Sequence, residues 1–530
     1  MKNSKIIYHY LSLMLLASMC ANEACAQMQR QNGIPRLVVN VTVDQLRSDY
    51  MYAFCSLYSQ GGFNKLLGEG RVYEQAINNF YPADRASSTA TISTGTVPYY
   101  NGVVSGSWLD RNTLRPVNST DDKSLVKTSG REPASARSIL TSTLGDELKV
   151  YTQGASKVFS VGTERDAAIL AAGHAADCAF WLDDNTGRWM TTDYYRLSSA
   201  AWIGAFQRLH SLPDNIASKK WVPCSLLTGN ISFFMNGGVR NSFTHTFTGD
   251  HRFADYKRSA LVNTDVTDLA LQCVESNAMG NDGITDLLNV QYYAGMYKDG
   301  SLSECHMELQ DTYLRLDEEL NRLISTIEKK VGKDNVIFVL TSTGYSDSDI
   351  ADYTKMGIPS GTFYINRTAN LLNMYLCAIY GQRQYVDVAY HNQIYLNHKL
   401  IEQQHLSLTD ILTHSRDFLQ MSEGIRDVYT ADRILSPTND VIAKVRNDYN
   451  TILSGDIIVE VAPGWKVVNE ESGETFTSVA SSIVFPIIFY GGCVPSGKVS
   501  TVVSTDCIAP TICKSIRIRA PNGCRSLPLF

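Results

Sequence analysis

The stretch best suited to chemistry covers residues 81–98, YPADRASSTATISTGTVP. It has the form of a strand end, a tight turn and the N-terminus of a helix built from small residues. Such a junction presents free backbone N–H groups and the positive end of a helix dipole, which suit an anion. An enzyme that attacks phosphate or sulfate esters would place its nucleophile here, and the residue found is Arg85. A guanidinium stays protonated and has no lone pair to offer phosphorus. The hydroxyls of Ser87, Ser88 and Thr89 follow closely, but no neighbouring base is there to activate them. Asp44 is a second candidate, because it ends the β-branched run RLVVNVTV at residues 36–43. A carboxylate at the C-terminal end of a buried parallel strand is where α/β sheets place ligand sites, although a lone aspartate more often caps a helix.

Other polar groupings read more plainly. His245, Asp250 and His251 would make either a relocated metal site or a polar loop, and the loop is the simpler reading. SDSDIAD at residues 346–352 alternates acids, Asp347 and Asp349 among them, but lacks the glycine turn and terminal glutamate of a calcium loop. His391, His398, His405 and His414 share no helical face with acidic partners and read as structural or exposed.

The elements that must position these residues come from a chain of 530 residues, long enough for a large core. It is 44% hydrophobic and 19% charged, with a net charge of -6 and no basic run, which disfavours a nucleic-acid groove. Lys2 and Lys5 precede an apolar run at residues 11–19, and Ala24-Cys25-Ala26 fits a signal-peptidase site, so residues 1–26 read as an export signal without a lipid anchor. No later segment is apolar enough to span a membrane. An outer-surface or periplasmic location follows, and in such an oxidising compartment some cysteines are expected to pair, Cys513 with Cys524 being one candidate. No CxxC or Cys/His zinc spacing occurs.

Buried-strand runs at residues 36–43, 157–161, 287–293, 335–340, 456–461 and 485–490 alternate with helical patterns at 50–70, 137–147, 308–331 and 505–515. The 308–331 helix is the clearest, with Leu309, Tyr313, Leu316, Leu320, Leu323, Ile327 and Val331 at spacings of three and four. Residues 173–283 are rich in Trp, Tyr, Phe, Ser and Asn with weak periodicity, as an inserted cap would be. The expected layout is a core part at 27–172, a cap at 173–283, core at 284–344, a small α+β insertion at 345–437 and core again at 438–530.

The order of these segments resembles the alkaline phosphatase superfamily, and within it the exported monomeric enzymes that use a threonine nucleophile, with a type I phosphodiesterase/nucleotide pyrophosphatase-like fold. VDQLRSDY at 43–50, STGTVPYYNGVVSGSWLDR at 93–111, RDAAILAAGH at 165–174, QDTYLRLDEEL at 310–320, QIYLNHKLI at 393–401 and PIIFYGG at 486–492 carry the likeness. The resemblance implies a three-layer α/β/α sandwich with a mostly parallel sheet and two inserted cap segments. It also implies two zinc ions about 4 Å apart, held by Asp and His side chains.

Residue by residue, the resemblance places the first zinc-ligand aspartate on Asp44 and the threonine nucleophile on Arg85. The remaining ligand positions fall on Met296, Gly300, Ser342, Thr343 and Val484. The phosphate-contacting positions fall on Gly106, Glu164 and Asp166. On this correspondence Arg85 pairs with Asp44, or with Asp84 and Glu164, in the space the metals would take. The expectation is a pseudo-phosphatase: no cofactor, no catalytic residue, and a binding or scaffolding role toward a protein or glycan partner in the cell envelope. The alternative is a metal-dependent phosphate or sulfate ester hydrolase with a rearranged site drawing on Asp44, Ser87 or Ser88, and Asp347 or Asp349. A transferase lacks even a candidate nucleophile.

Overall fold

Every position of the Leu37–Asp44 strand is buried, the pattern required when helices cover both faces of a sheet. The computed structural model describes residues 33–530 apart from 129–130, 196–200, 225–241, 300–301, 347–356, 478–482 and 493. In it Leu37–Asp44 lies at the centre of a ten-stranded sheet, paired in parallel with Asp286–Tyr293 on one side and Val336–Ser342 on the other. Beyond Asp286–Tyr293 come Val158–Gly162 and Cys178–Leu182, also parallel, and the short antiparallel Trp189–Met190. Beyond Val336–Ser342 come Phe485–Gly491 and Arg71–Ile77, with Gly497–Val499 at the edge.

Alternate side chains of the central strand feed two cores. Val39, Val41 and Val43 pack with Leu309, Tyr313, Leu316 and Leu320 of the Leu302–Val331 helix. Val38 packs on the opposite face with Ala86, Ala90, Ile169 and Ile508. The result is the expected α/β/α sandwich with a mostly parallel sheet. Among the described residues no helix is long and apolar enough to cross a membrane.

Several boundaries differ from the sequence reading. Helix formation near residue 140 begins only at Leu144, where Thr143 and Asp146 form a reciprocal capping box, and the helix runs to Tyr151. Cys178–Leu182 belongs to the main sheet, and the Val262–Ser276 helix packs beneath it through Val266, Leu269 and Cys273. The inserted cap is therefore narrower than 173–283. The second insertion is wider than 345–437, because Ile457–Val461 does not rejoin the main core. It pairs instead with Gln393–Leu396 and Ile425–Thr430 in a separate four-stranded sheet. A strand buried on both faces reads the same in either sheet. Cys513 and Cys524 are free thiols, contrary to the candidate pairing.

Candidate functional site

The Arg85–Thr94 helix starts with a cap that the sequence encodes directly. Asp84 Oδ1 accepts from Ser87 N at 2.8 Å while Ser87 Oγ accepts from Asp84 N at 3.0 Å. The second oxygen of Asp84 accepts from Gly106 N at 2.6 Å and Ser105 Oγ at 2.8 Å, which ties the helix start to the following loop. Arg85 is thereby fixed at the first helical position, at the C-terminal edge of the sheet.

Its guanidinium bridges two carboxylates. Arg85 Nε donates to Asp166 Oδ1 at 3.0 Å and Nη1 to Asp44 Oδ2 at 3.4 Å. Asp44 is 1% exposed and also accepts from Thr343 Oγ1 at 3.0 Å and the Tyr345 hydroxyl at 3.3 Å. Burial alone would lower the Arg85 pKa, but Asp166, Tyr345, Glu164 and Asp44 outweigh it and hold it above the ordinary value. Burial pushes Asp166 the other way, yet Arg85 keeps its carboxyl below the usual range. Asp84 is not an ion-pair partner, contrary to one of the two expected arrangements, because it is committed to the cap. Glu164 is not one either, because Lys257 Nζ donates to it at 2.9 Å and to Asp184 at 2.6 Å. No local signal marks Lys257, which arrives from 93 residues away in sequence.

These groups line a cleft of about 340 Å³ that includes Arg85, Gly106, Glu132, Arg165, Asp166 and Lys257. Gly106 stands where a Cβ would come within 3.6 Å of Asp84 Oδ2 and 3.7 Å of Asp166 Oδ2. The other expected positions scatter. Met296 and Ser342 are buried, Ser342 Oγ accepting from Gly344 N. Val484 is 39% exposed and offers only its carbonyl, which accepts from Ser48 N. Gly300, Asp347 and Asp349 lie outside the described residues. Ser87 and Ser88 are fully buried, the latter accepting from Asn78 Nδ2, and Thr89 is 3% exposed, so none of these hydroxyls can meet an ester. His245 bonds Glu308 at 2.9 Å and packs on Tyr297, whereas Asp250 and His251 are exposed loop residues.

The two zinc ions implied by the resemblance do not fit these side chains. Both Asp44 oxygens are engaged, Met296 and Val484 carry no N or O donor in the side chain, and the Thr343 hydroxyl serves Asp44 and Gln45 N. Among the described residues no group of three or more His, Cys, Asp or Glu is placed to hold a metal ion.

One buried acid beside this site has no use for its charge. Asp448, at the end of the Asp440–Asp448 helix, is 7% exposed, and its Oδ1 has no hydrogen-bond partner among the described residues. Burial and the nearby Asp84 raise its carboxyl pKa well above the ordinary value. A raised folded value means that its stability contribution is complete below about pH 4 and is lost as pH rises through that value. Asp448→Asn is expected to stabilise the protein by about 1–3 kcal/mol at pH 8 and to leave it unchanged near pH 4, as read by thermal unfolding at both.

Against known proteins, the chain matches the type I phosphodiesterase / nucleotide pyrophosphatase profile over residues 38–482. It is 28% identical to alkaline phosphatase PafA of Elizabethkingia meningoseptica, over 94% of this chain and 95% of that one. It is 27% identical to alkaline phosphatase PhoV of Synechococcus elongatus, over 97% of each. The crystal structure of wild-type PafA superposes with a TM-score of 0.81 at 27% identity, covering 94% of this chain and 98% of that one. This kinship confirms the superfamily and the fold. It overturns the expectation of a non-catalytic envelope scaffold, because relatives spanning nearly the whole chain are alkaline phosphatases. It also overturns the expectation of no cofactor, which had been drawn from the ligand positions alone.

Proposed function

We propose that this chain, which belongs to the type I phosphodiesterase / nucleotide pyrophosphatase family, is a phosphate ester hydrolase with a rearranged catalytic centre. The observation that carries the reading is its full-length kinship with alkaline phosphatases, combined with a cleft that opens at the N-terminus of the Arg85–Thr94 helix. Arg85 is the anion-holding group. Its side chain is 27% exposed, and the fork that bonds Asp44 and Asp166 has further N–H donors for a phosphoryl oxygen. Export follows from the reading of residues 1–26 as a targeting segment.

Hydrolysis of 4-nitrophenyl phosphate and bis(4-nitrophenyl) phosphate by the purified protein, with and without added zinc, tests this function. Turnover above background supports it; no turnover of either ester under any metal condition overturns it. The charges around the cleft also set a preference. Among the described lining residues, Glu132, Glu164, Asp166, Asp183 and Asp184 outnumber Arg85, Arg165 and Lys257. A monoester dianion brings one more negative charge into this surplus than a diester does. The difference is on the order of 1–2 kcal/mol, so kcat/KM relative to the uncatalysed rate is expected to favour the diester about tenfold.

A further inference from the structure

Glu164 and Asp166 hold two of the positions expected to contact phosphate, and each carries a cation delivered by another element. Arg85 Nε donates to Asp166 Oδ1 at 3.0 Å, and Lys257 Nζ donates to Glu164 Oε2 at 2.9 Å. Both acids sit at the start of the Arg165–Ala172 helix, Glu164 as its N-cap residue and Asp166 in its first turn. The cations come from the first residue of the Arg85–Thr94 helix and the last residue of the Arg252–Lys257 helix. All four side chains line the cleft.

A count of donors shows what the two cations still offer. The Lys257 side chain is 4% exposed, and its ammonium has three N–H donors. Glu164 takes one, Asp184 takes a second at 2.6 Å, and none of the described residues takes the third. The Arg85 guanidinium has five, of which Nε serves Asp166 and Nη1 serves Asp44. Its Nη2 has no partner among the described residues. A buried charged donor left without an acceptor is costly, so a ligand oxygen that reaches both groups satisfies a standing demand. Gly106 leaves the adjoining wall as bare backbone, with the site of a missing Cβ 3.7 Å from Asp166 Oδ2. Burial works against the Lys257 charge, but Glu164 and Asp184 outweigh it and keep the ammonium protonated.

We propose that Lys257 is a second substrate-binding group of this cleft and forms with Arg85 a two-point clamp for a phosphoryl monoanion, one oxygen on each cation. This deepens the hydrolase reading above, on which it rests, by naming the partner that Arg85 works with. Each cation already shares two acids, Arg85 with Asp44 and Asp166 and Lys257 with Glu164 and Asp184. A ligand with one negative charge spread over two oxygens therefore meets both open donors at the lowest electrostatic cost. A purely structural Lys257 would do no more than neutralise Glu164. The two roles part when both charges are removed together, because the net charge of the cleft is then unchanged and only the contact is lost.

The test is calorimetric binding of diphenylphosphinate to the full-length protein, with hydrolysis of the two nitrophenyl esters measured in parallel. This probe carries one charge on two oxygens and has no ester bond to break. In the double variant Lys257→Met/Glu164→Gln the remaining partner, Asp184, is 56% exposed and can turn to water. Its Kd is expected to be about tenfold weaker than that of wild type, the loss of one charge-assisted hydrogen bond. Glu164→Gln alone keeps Lys257 and its bond to Asp184, and carries the test if the double variant melts early. It should tighten binding about threefold or more, because the ammonium then shares one acid fewer. A double variant that binds as tightly as wild type overturns the clamp, as does an unchanged Kd in Glu164→Gln, and ester turnover in wild type then leaves the hydrolase reading standing. Absence of probe binding by wild type overturns the clamp as well. Binding that weakens in the double variant while wild type hydrolyses neither ester supports the clamp and removes the hydrolase reading.

Discussion

Arg85→Met is expected to destabilise the protein by about 3 kcal/mol at pH 8, and by less at pH 5. The substitution keeps much of the side-chain volume but leaves two carboxylates facing each other without their shared cation. Asp44 is 1% exposed and would retain the Thr343 and Tyr345 hydroxyls; Asp166, 17% exposed, would retain Ala167 N. Removing one partner from a buried ion pair typically costs about 3–5 kcal/mol, and partial solvent access at Arg85 places this case at the lower end. The pH dependence follows from Asp166. With Arg85 present its carboxyl is depressed, so its contribution exists above about pH 4 and is lost as pH falls through the folded value. Without Arg85, burial dominates and the folded value rises, so the variant regains stability as pH falls. Thermal unfolding at pH 8 and pH 5 reads this as a gap that narrows with acid. Arg85→Lys should fall between the two, because a point ammonium cannot fork to both acids. Equal unfolding temperatures for wild type and Arg85→Met at both pH values would mean that the bridge contributes nothing.

The parts of this centre that were legible in sequence are those written in local pattern. The alternation of large apolar residues that defines Leu302–Val331, and the unbroken apolar runs of Leu37–Asp44 and Val336–Ser342, specify buried elements without reference to anything distant. The Asp84–Ser87 cap is likewise a four-residue signal. The choice of partners is different in kind. Arg85 could have paired with any of four acids near it in the fold. The outcome was decided by Asp84 being used by its helix and by Lys257, from the cap, claiming Glu164. Neither competition has a sequence signature.

The same limit applies to the contacts of His391. Its meeting with Ser107 spans 283 residues of intervening chain and depends on how the second insertion docks. A hairpin of the form Tyr-His-Asn-Gln was the available signal, since a histidine at a tight turn is held in a strained, directed pose. The identity of Ile457–Val461 as part of that insertion was similarly hidden, because five buried β-branched and acidic residues do not say which sheet buries them.

That docking suggests where the largest remaining effect lies. Asp456→Ala is expected to cost about 3–5 kcal/mol and to loosen the insertion from the hairpin that carries Ser107. Asp456 is 3% exposed and accepts from Leu396 N at 2.7 Å, His398 Nε2 at 2.7 Å and Arg111 Nη1 at 3.1 Å. Arg111 also donates to Ser454 O at 2.6 Å, and it follows the Ser107–Asp110 strand directly. Removing the carboxylate would leave three donors short of an acceptor, one of them a cation whose side chain is 24% exposed. Burial opposes the charge on Asp456, but His398 and Arg111 hold its pKa below the ordinary value. The hydrogen bond to Asp456 raises that of His398 against its own burial. The aspartate contribution is present above about pH 4 and lost as pH falls through the folded value. The histidine contribution is complete below about pH 6.5 and lost as pH rises through its raised value. The pair therefore stabilises most between about pH 4 and 6.5 and weakens on the alkaline side. His398 is half exposed, so salt should blunt its share. Melting temperatures of wild type and His398→Gln should converge as pH rises from 6 to 9, whereas Asp456→Ala should remain far below both.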